Sequence, residues 1–261
     1  MNKHSRGRVL ITGASSGIGA ALAAKFAAEN FDLILTARRE RKLNELKEQL
    51  SSVNIMVLPM DLAEDGSADQ LCLAVTEAGL SVDILVNNAA IFSNQPFVSM
   101  TKQNITQMMA LNMSSVVRLT HHFLPAMIKR RSGKILNVAS LASLHPIPSM
   151  DLYAATKAFV LSLTESLAEN LRDTGVSVTA LCPGPTNTDA LDQLIASSLP
   201  PLMITQAEQV ANEGFDALMR QQVIRIPGRA NKLSATWAKH QPRWLIRSLG
   251  GLLAKASAKT G

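Results

Sequence analysis

Short apolar runs alternate with longer amphipathic stretches along most of this chain. Runs of strand length occur at residues 9–11, 32–36, 55–58, 83–86, 134–138, 176–181 and 223–226. The stretches between them predict helices at 20–29, 39–50, 67–78, 101–129 and in the segment that contains Tyr153. Uninterrupted apolar strands separated by amphipathic helices are typical of a parallel sheet that is covered on both faces. The pattern therefore predicts an α/β protein with a doubly wound parallel sheet of about seven strands.

The chain has 261 residues, 47% of them hydrophobic, and no linker, repeat or low-complexity tract divides it. We therefore expect one domain over 1–261. The longest apolar runs are far shorter than the roughly 20 residues of a membrane-spanning helix. Cys72 and Cys182 show no pairing pattern, which favours reduced thiols in a cytoplasmic protein.

A glycine cluster follows the first predicted strand and opens the first helix, as in Rossmann-like folds. Glycines there let the backbone turn tightly and approach a pyrophosphate, whose charge is stabilised at a helix N-terminus. This context predicts a dinucleotide site rather than a simple turn. The predicted cofactor-binding residues of this loop are Gly13, Ser15, Ser16, Gly17, Ile18 and Gly19.

The end of the second strand predicts which dinucleotide binds. Proteins that bind NAD present a carboxylate there to the ribose 2′-hydroxyl, whereas this chain has Ala37 followed by Arg38 and Arg39. A guanidinium can bind the 2′-phosphate of NADP(H), and Ser16 can add a donor. We therefore expect NADP(H) to be preferred over NAD(H). The alternative is that Arg38 and Arg39 only begin a solvated helix.

Tyr153 and Lys157 are four residues apart and share a face if their segment is helical. A phenol has a pKa of about 10 and is a poor acid or base at neutral pH. A nearby ammonium favours the phenolate, and lowering the phenol pKa by three units requires about 4 kcal/mol. The pair predicts a proton-transfer centre, although such spacing alone more often gives a packed ring beside a solvated amine.

These residues and their neighbours occur in a familiar order. Together, the glycine loop, Asn87-Asn88-Ala89-Ala90, Asn112, Ser140, Tyr153, Lys157 and Pro183-Gly184-Pro185-Thr186 resemble the short-chain dehydrogenase/reductase family over about residues 8–188. Ala90 departs from the glycine that usually ends its motif. The resemblance implies an NAD(P)-dependent oxidoreductase that transfers a hydride between the nicotinamide and a carbonyl or alcohol.

The resemblance also implies roles for individual residues. Tyr153 would be the acid and base, and Lys157 would stabilise its phenolate and hold the nicotinamide ribose. Ser140 would bind the carbonyl oxygen, and Asn112 would anchor a proton-relay water. Capping of the strand end by Ser140 and local hydrogen bonding by Asn112 remain alternatives. The cofactor site would further include Asp61 and Leu62 at the adenine, Asn88 and Ala89 at the ribose, and Pro183, Gly184, Thr186 and Thr188 at the nicotinamide.

By the same resemblance, residues 189–204 form a lid over the substrate. Its apolar residues are consistent with a hydrophobic substrate, or with simple packing of the lid onto the body. His145 is a further candidate for substrate contact or for a structural role, and no residues have metal-site spacing. Substrate identity and physiological direction stay open. The apolar lid residues are Ala190, Leu191, Leu194, Ile195, Leu199, Leu202 and Met203.

The basic charge of the chain is concentrated at its end. Residues 1–219 hold 17 Lys/Arg against 20 Asp/Glu, whereas residues 220–261 hold nine Lys/Arg and no acid. We define residues 227–261 as the basic tail, in which aromatic and leucine residues are interspersed. It is either a solvated face or a peripheral membrane contact, and no nucleic-acid motif accompanies it. The apolar residues include Trp237, Trp244, Leu245, Ile246, Leu249, Leu252 and Leu253.

Two alternatives of function remain open, and the assembly of the chain is a separate expectation. The tail allows a membrane-surface lipid or steroid ketone reductase. A protein that binds NADP(H) as a regulator without turnover is a second reading, although such proteins usually lack one of the residues present here. The resemblance also implies a homodimer or homotetramer, often formed through the long helices that contain Asn112 and Tyr153.

Overall fold

The computed structural model describes residues 5–147, 150–188, 201–239, 241 and 248. Most of the predicted lid, residues 189–200, lies outside the described residues. The same is true of Trp244, Leu245, Ile246, Leu249, Leu252 and Leu253 of the basic tail. Among the described residues, no helix is both long and apolar enough to cross a membrane.

One sheet of seven parallel strands organises the molecule, in the order β3-β2-β1-β4-β5-β6-β9. The order reverses beside β1, between β1 and β4, which is the point where doubly wound sheets bind ligands. The predicted doubly wound, Rossmann-like fold is confirmed, including the last strand beside β6. The strands are β1 (Arg8–Thr12), β2 (Asp32–Thr36), β3 (Ile55–Val57), β4 (Ile84–Asn87), β5 (Gly133–Val138), β6 (Val176–Leu181) and β9 (Ile224–Arg225).

Helices cover both faces because successive strand residues point to opposite sides. Val9 and Ile11 of β1 belong to the core cluster beneath Phe26 and Phe215, whereas Leu10 belongs to the other cluster. Each face is therefore apolar, as the uninterrupted strands predict. The helices are α1 (Gly17–Ala28), α2 (Glu40–Gln49), α3 (Ser67–Glu77), α4 (Lys102–Met109), α5 (Ser115–Arg130), α6 (Asp151–Asn170), α7 (Ala207–Met219) and α8 (Arg229–Lys239).

The structure differs from the sequence-based prediction in three places. The single helix expected at 101–129 is interrupted by a π-helical turn at Ala110–Ser114. Helices α7 and α8 were not predicted. Two short strands, β7 (Thr186–Asn187) and β8 (Thr205–Gln206), pair in a separate two-stranded sheet that was also not predicted. That pairing brings the two ends of the lid segment together.

A buried polar network joins β4 and β5 to the helices behind them. Asn87 and Asn137 are register partners, and the Asn87 amide donates to Asn137 Oδ1 at 2.8 Å and to Thr120 at 3.1 Å. The Asn137 amide donates in turn to Thr164 at 2.9 Å. Because buried polar groups are costly unless they are paired, these bonds fix α5 and α6 against the sheet. Helix α6, which contains Tyr153 and Lys157, is thereby held in place.

Candidate active site

One large cleft lies beyond the carboxyl ends of the central strands, with a volume of about 910 Å³. It runs from the glycine loop to Tyr153 and Lys157. Of the predicted site residues, all but Asn112 line it. They are Gly13, Ser15, Ser16, Gly17, Ile18, Gly19, Arg38, Arg39, Asp61, Leu62, Asn88, Ala89, Ser140, Tyr153, Lys157, Pro183, Gly184, Thr186 and Thr188.

The glycine loop is shaped for close approach of a ligand. Gly13 and Gly17 have positive φ, of 66° and 56°, and a Cβ at Gly19 would lie 2.2 Å from the Gly13 carbonyl oxygen. The Asn88 amide fixes the loop by donating to the carbonyls of Thr12 and Gly13 at 2.9 and 3.2 Å. No acidic residue occupies the first turn of α1, so the helix dipole is left available to an anion.

Arg39 and Arg38 lie at the end of the cleft beside this loop. The Arg39 guanidinium donates to the Ser16 hydroxyl at 2.6 Å and to Ser15 at 3.2 Å. Arg38 forms an ion pair with Asp61 at 3.7 Å and is largely exposed. Two guanidinium groups and two hydroxyls therefore meet at one end of the cleft, which is a donor set suited to a phosphate.

At the other end of the cleft, Tyr153 is partly buried, and its phenol interacts with the Ser140 side chain. Its ring packs edge to face against Phe92, with centroids 5.0 Å apart. The Ser140 hydroxyl also accepts a hydrogen bond from the Ala142 backbone, so it caps a short 3₁₀ turn, as one alternative anticipated. Capping and contact with Tyr153 are compatible, because one hydroxyl both donates and accepts.

Lys157 lies under the ring of Tyr153 and is almost completely buried. Its ammonium is 5.9 Å from the Tyr153 ring centroid and donates to the Val138 carbonyl at 2.7 Å. Burial lowers the pKa of Lys157 to about 8, while the neighbouring Cys182 acts in the opposite direction. The same burial raises the pKa of the Cys182 thiol to about 11.

The expected lowering of the phenol pKa is not found in the protein alone. Burial raises the pKa of Tyr153 above its ordinary value, and the hydrogen bond with Ser140 opposes that rise without reversing it. The physical reason is that desolvation dominates, while the Lys157 ammonium is directed to the Val138 carbonyl. The predicted juxtaposition of phenol and ammonium on one face of α6 is nevertheless present.

Asn112 lies behind the cleft, in the π-helical turn. Its side chain accepts from the Ile91 backbone amide at 2.8 Å and donates to the Ile91 carbonyl at 3.0 Å and to Thr156 at 3.1 Å. The side chain thus ties the loop after β4 to helix α6. Asn112 therefore joins two walls of the cleft. Its amide does not hydrogen-bond within its own helix, which was the alternative expected from the sequence.

Several residues that line the cleft were not predicted from the sequence. They are apolar residues without a motif, or residues of α8 that had been assigned to the basic tail. The edge-to-face packing of Phe92 on Tyr153 could not be predicted from the sequence, which shows only that Phe92 lies close to Asn88 along the chain. The amphipathic spacing of α8 could have indicated a helix, but not that it closes the cleft. These residues are Ile91, Phe92, Leu141, Ala142, Ile147, Met150, Ser234, Ala235, Trp237 and Ala238.

Similar proteins that are already known identify the family of this chain. The family model described as short chain dehydrogenase matches residues 7–198. The chain therefore belongs to the short-chain dehydrogenase/reductase family and is an NAD(P)-dependent oxidoreductase. The family resemblance expected from the motifs is confirmed.

Individual relatives support the same family. The chain is 38% identical to sulfoacetaldehyde reductase 2 of Chromohalobacter salexigens, over 69% of this chain and 73% of that protein. A short-chain dehydrogenase from Sphingobium yanoikuyae in complex with NADPH is 31% identical, with a TM-score of 0.79 over 88% of this chain and 92% of that one. A 7β-hydroxysteroid dehydrogenase structure is 26% identical, with a TM-score of 0.85 over 94% and 96%. Other matching structures hold NADP or NAD.

The buried charge of Lys157 is expected to lower the free energy of unfolding of the protein. We expect the Lys157→Met variant to be more stable than the wild type near neutral pH, by about 1–3 kcal/mol. Below the folded-state pKa of about 8, the lysine is protonated in both states, and burying its charge opposes folding. The advantage should shrink between that pKa and the ordinary pKa of 10.5, as the buried amine loses its proton. Thermal unfolding of both proteins at about pH 7 and pH 9.5 measures this.

The matched control is Lys134→Met. Lys134 is half-buried at the start of β5, and burial lowers its pKa too, but it does not line the cleft. It should gain less stability and keep full turnover. Equal or lower stability of Lys157→Met near neutral pH would contradict the buried-charge interpretation.

Proposed function

We propose that this protein is an NADP(H)-dependent oxidoreductase of uncharged, hydrophobic carbonyl and alcohol compounds. One observation supports the proposal most strongly. A single cleft joins an end lined by Arg38 and Arg39 to an end lined by Tyr153 and Ser140. Arg38 and Arg39 would hold the phosphate end of a bound dinucleotide, and Tyr153 and Lys157 line the part of the cleft where its hydride chemistry would be supplied.

The cofactor, when bound, supplies or accepts the hydride at its nicotinamide ring. The residues of the chain handle the charge and the proton. As a carbonyl is reduced, negative charge develops on its oxygen, and Ser140 stabilises it by donating a hydrogen bond. Tyr153 donates its proton to that oxygen. In the reverse direction, the Tyr153 phenolate removes the proton from the alcohol.

In the protein alone, the raised pKa keeps the Tyr153 phenol protonated but makes it a weaker acid, so proton donation depends on stabilisation of the phenolate. Because burial favours the neutral phenol, Tyr153 holds its proton near neutral pH and can deliver it to the developing oxyanion. The Lys157 ammonium lies near enough to stabilise the phenolate that remains. Asn112 then acts as a positioning residue, since its amide holds Ile91 and Thr156 rather than substrate.

The charge of the cleft favours an uncharged substrate. Among the described lining residues, Asp, Glu, Lys and Arg side chains other than Lys157 are confined to the phosphate end, at Arg38, Arg39 and Asp61, while His145 also lines the cleft. The lid segment 189–204 contains Asp189 and Asp192 but no Lys or Arg. An anionic aldehyde, such as the name of the Chromohalobacter salexigens relative implies, would find no arginine among the described residues at the Tyr153 end, where the Lys157 ammonium is buried. The apolar lining favours ketones and aldehydes with hydrocarbon substituents.

A panel of carbonyl compounds tests the proposal. The full-length enzyme is mixed with NADPH and, in turn, an alkyl aldehyde, a cyclic ketone, a diaryl ketone and sulfoacetaldehyde, and NADPH consumption is recorded. We expect turnover of the uncharged compounds and little with sulfoacetaldehyde. Faster consumption with sulfoacetaldehyde, or none with any compound, would contradict the proposed substrate class.

We also propose that the enzyme is cytoplasmic and homo-oligomeric. The cytoplasmic assignment is supported by Cys72 and Cys182, which are both buried and unbonded to each other. Assembly is supported by an apolar surface along α4, α5 and α6. A second cavity of about 850 Å³ there is lined by Met109, Met113, Val117 and Phe159, together with polar residues that include Asp69, Arg118, His121 and His122. Light scattering of the purified protein tests this, and a monomer mass would contradict it.

A further inference from the structure

Helix α8 is anchored to the substrate end of the cleft by one buried side chain. Asn231 is completely buried, and its amide donates to the Met203 carbonyl at 3.3 Å and to the Thr205 hydroxyl at 3.2 Å. A Cβ at Gly184 would lie only 2.7 Å from the Asn231 side chain. The helix therefore packs directly on the Gly184 loop and on the end of the lid segment, so its position relative to the cleft is fixed.

One face of this anchored helix lines the cleft. Ser234, Ala235 and Ala238 contribute small side chains, and Trp237 contributes a large one. The Trp237 side chain is 52% exposed although it borders a largely apolar cleft. A large aromatic surface left half exposed at a ligand cleft is available for contact with a bound molecule. Helix α8 thus presents the indole ring of Trp237 beside small side chains that leave room for a ligand in the cleft.

We propose that Trp237 is a specificity-determining residue, and that it selects ring-bearing, uncharged carbonyl compounds by contact with the face or edge of the ring. The inference rests on the proposed function, because it assigns a wall to the same substrate site. Stacked and edge-to-face aromatic pairs are favoured beyond the apolar area that they bury. Other apolar residues that line the cleft, among them Met203, Ile147 and Met150, suit such a substrate.

The test compares Trp237→Ala with the wild type on benzil, which has two rings, and on propanal, which has none. We expect kcat/KM for benzil to fall about tenfold, mainly through KM, and kcat/KM for propanal to change less than about twofold. Trp237→Phe should recover most of the loss. The matched control is Leu233→Ala, one turn earlier on α8, because Leu233 is 73% exposed and does not line the cleft.

A binding measurement separates this inference from the proposed function. The chain has two tryptophans, so Trp237 is the only one in a Trp244→Phe variant. Benzil added to that variant in the presence of NADP⁺, which prevents reduction, should quench its fluorescence. An unchanged signal, or equal losses for benzil and propanal, would overturn the role of Trp237 while NADPH-dependent reduction still stands. Absence of reduction of any carbonyl would instead contradict the proposed function.

Discussion

The Tyr153→Phe enzyme is expected to reduce ketones about a thousand times more slowly than the wild type, with an unchanged affinity for NADPH. The substitution removes only the hydroxyl. The phenyl ring can keep its edge-to-face packing on Phe92, so the cleft should retain its shape. The loss then reports proton transfer rather than misfolding. Single-turnover reduction with prebound NADPH, together with fluorescence titration of NADPH, measures both quantities.

Ser140→Ala provides the comparison for this result. It removes a hydrogen bond to the developing oxyanion and to the Tyr153 phenol, but it leaves the acid in place. We expect a smaller loss, of about 10–100-fold. Wild-type turnover in Tyr153→Phe would remove the tyrosine from the mechanism. A loss explained by weaker NADPH binding would make its role structural.

Removal of either cleft arginine is expected to raise KM for NADPH by about 10–100-fold and to leave KM for NADH within about twofold. Arg39→Ala removes the guanidinium that is held by Ser15 and Ser16, and Arg38→Ala removes the one beside Asp61. Both side chains would contact the 2′-phosphate, which NADH lacks. Steady-state kinetics with each cofactor at saturating ketone measure the effect.

Arg41→Ala is the matched control for charge. Arg41 is three residues from Arg38, is highly exposed and pairs with Glu45 on α2 rather than lining the cleft. It should leave the ratio of the two KM values unchanged. A wild-type enzyme that prefers NADH, or arginine variants that affect NADH and NADPH equally, would contradict the NADP(H) assignment.

The strands β1, β2, β4, β5 and β6 were predictable because they are buried on both sides. Their apolar runs have no polar face to interrupt them, so Asp32–Thr36 and Val176–Leu181 were predicted to the residue. The π-helical turn was not predictable, because Ala110–Ser114 follows the same apolar period as the helices around it. Helices α7 and α8 were not predicted because they follow the lid segment, which has no regular apolar period. In α8, the many positive charges of the basic tail made the few buried positions hard to recognise.

The candidate site was predictable where chemistry requires an ordered set of residue types. Glycines after a strand and the spacing of Tyr153 and Lys157 gave the two ends of the cleft. Contacts between segments that are distant in the sequence could not be predicted from such motifs. The bond from Lys157 to the Val138 carbonyl and the position of Trp237 depend on how the elements pack. The direction of the Tyr153 pKa depends on its burial, which a local motif does not encode.

We expect NADPH bound in the arginine-lined cleft to transfer a hydride to a carbonyl carbon while Tyr153 donates the proton. Reduction of a ketone with NADPH deuterated at nicotinamide C4 distinguishes these two steps. Mass spectrometry of the alcohol should find deuterium on the carbinol carbon in the wild type, from one face of the nicotinamide only, and almost none in Tyr153→Phe over the same time. Alcohol formed without deuterium from either face, or equal labelling by both enzymes, would contradict the account.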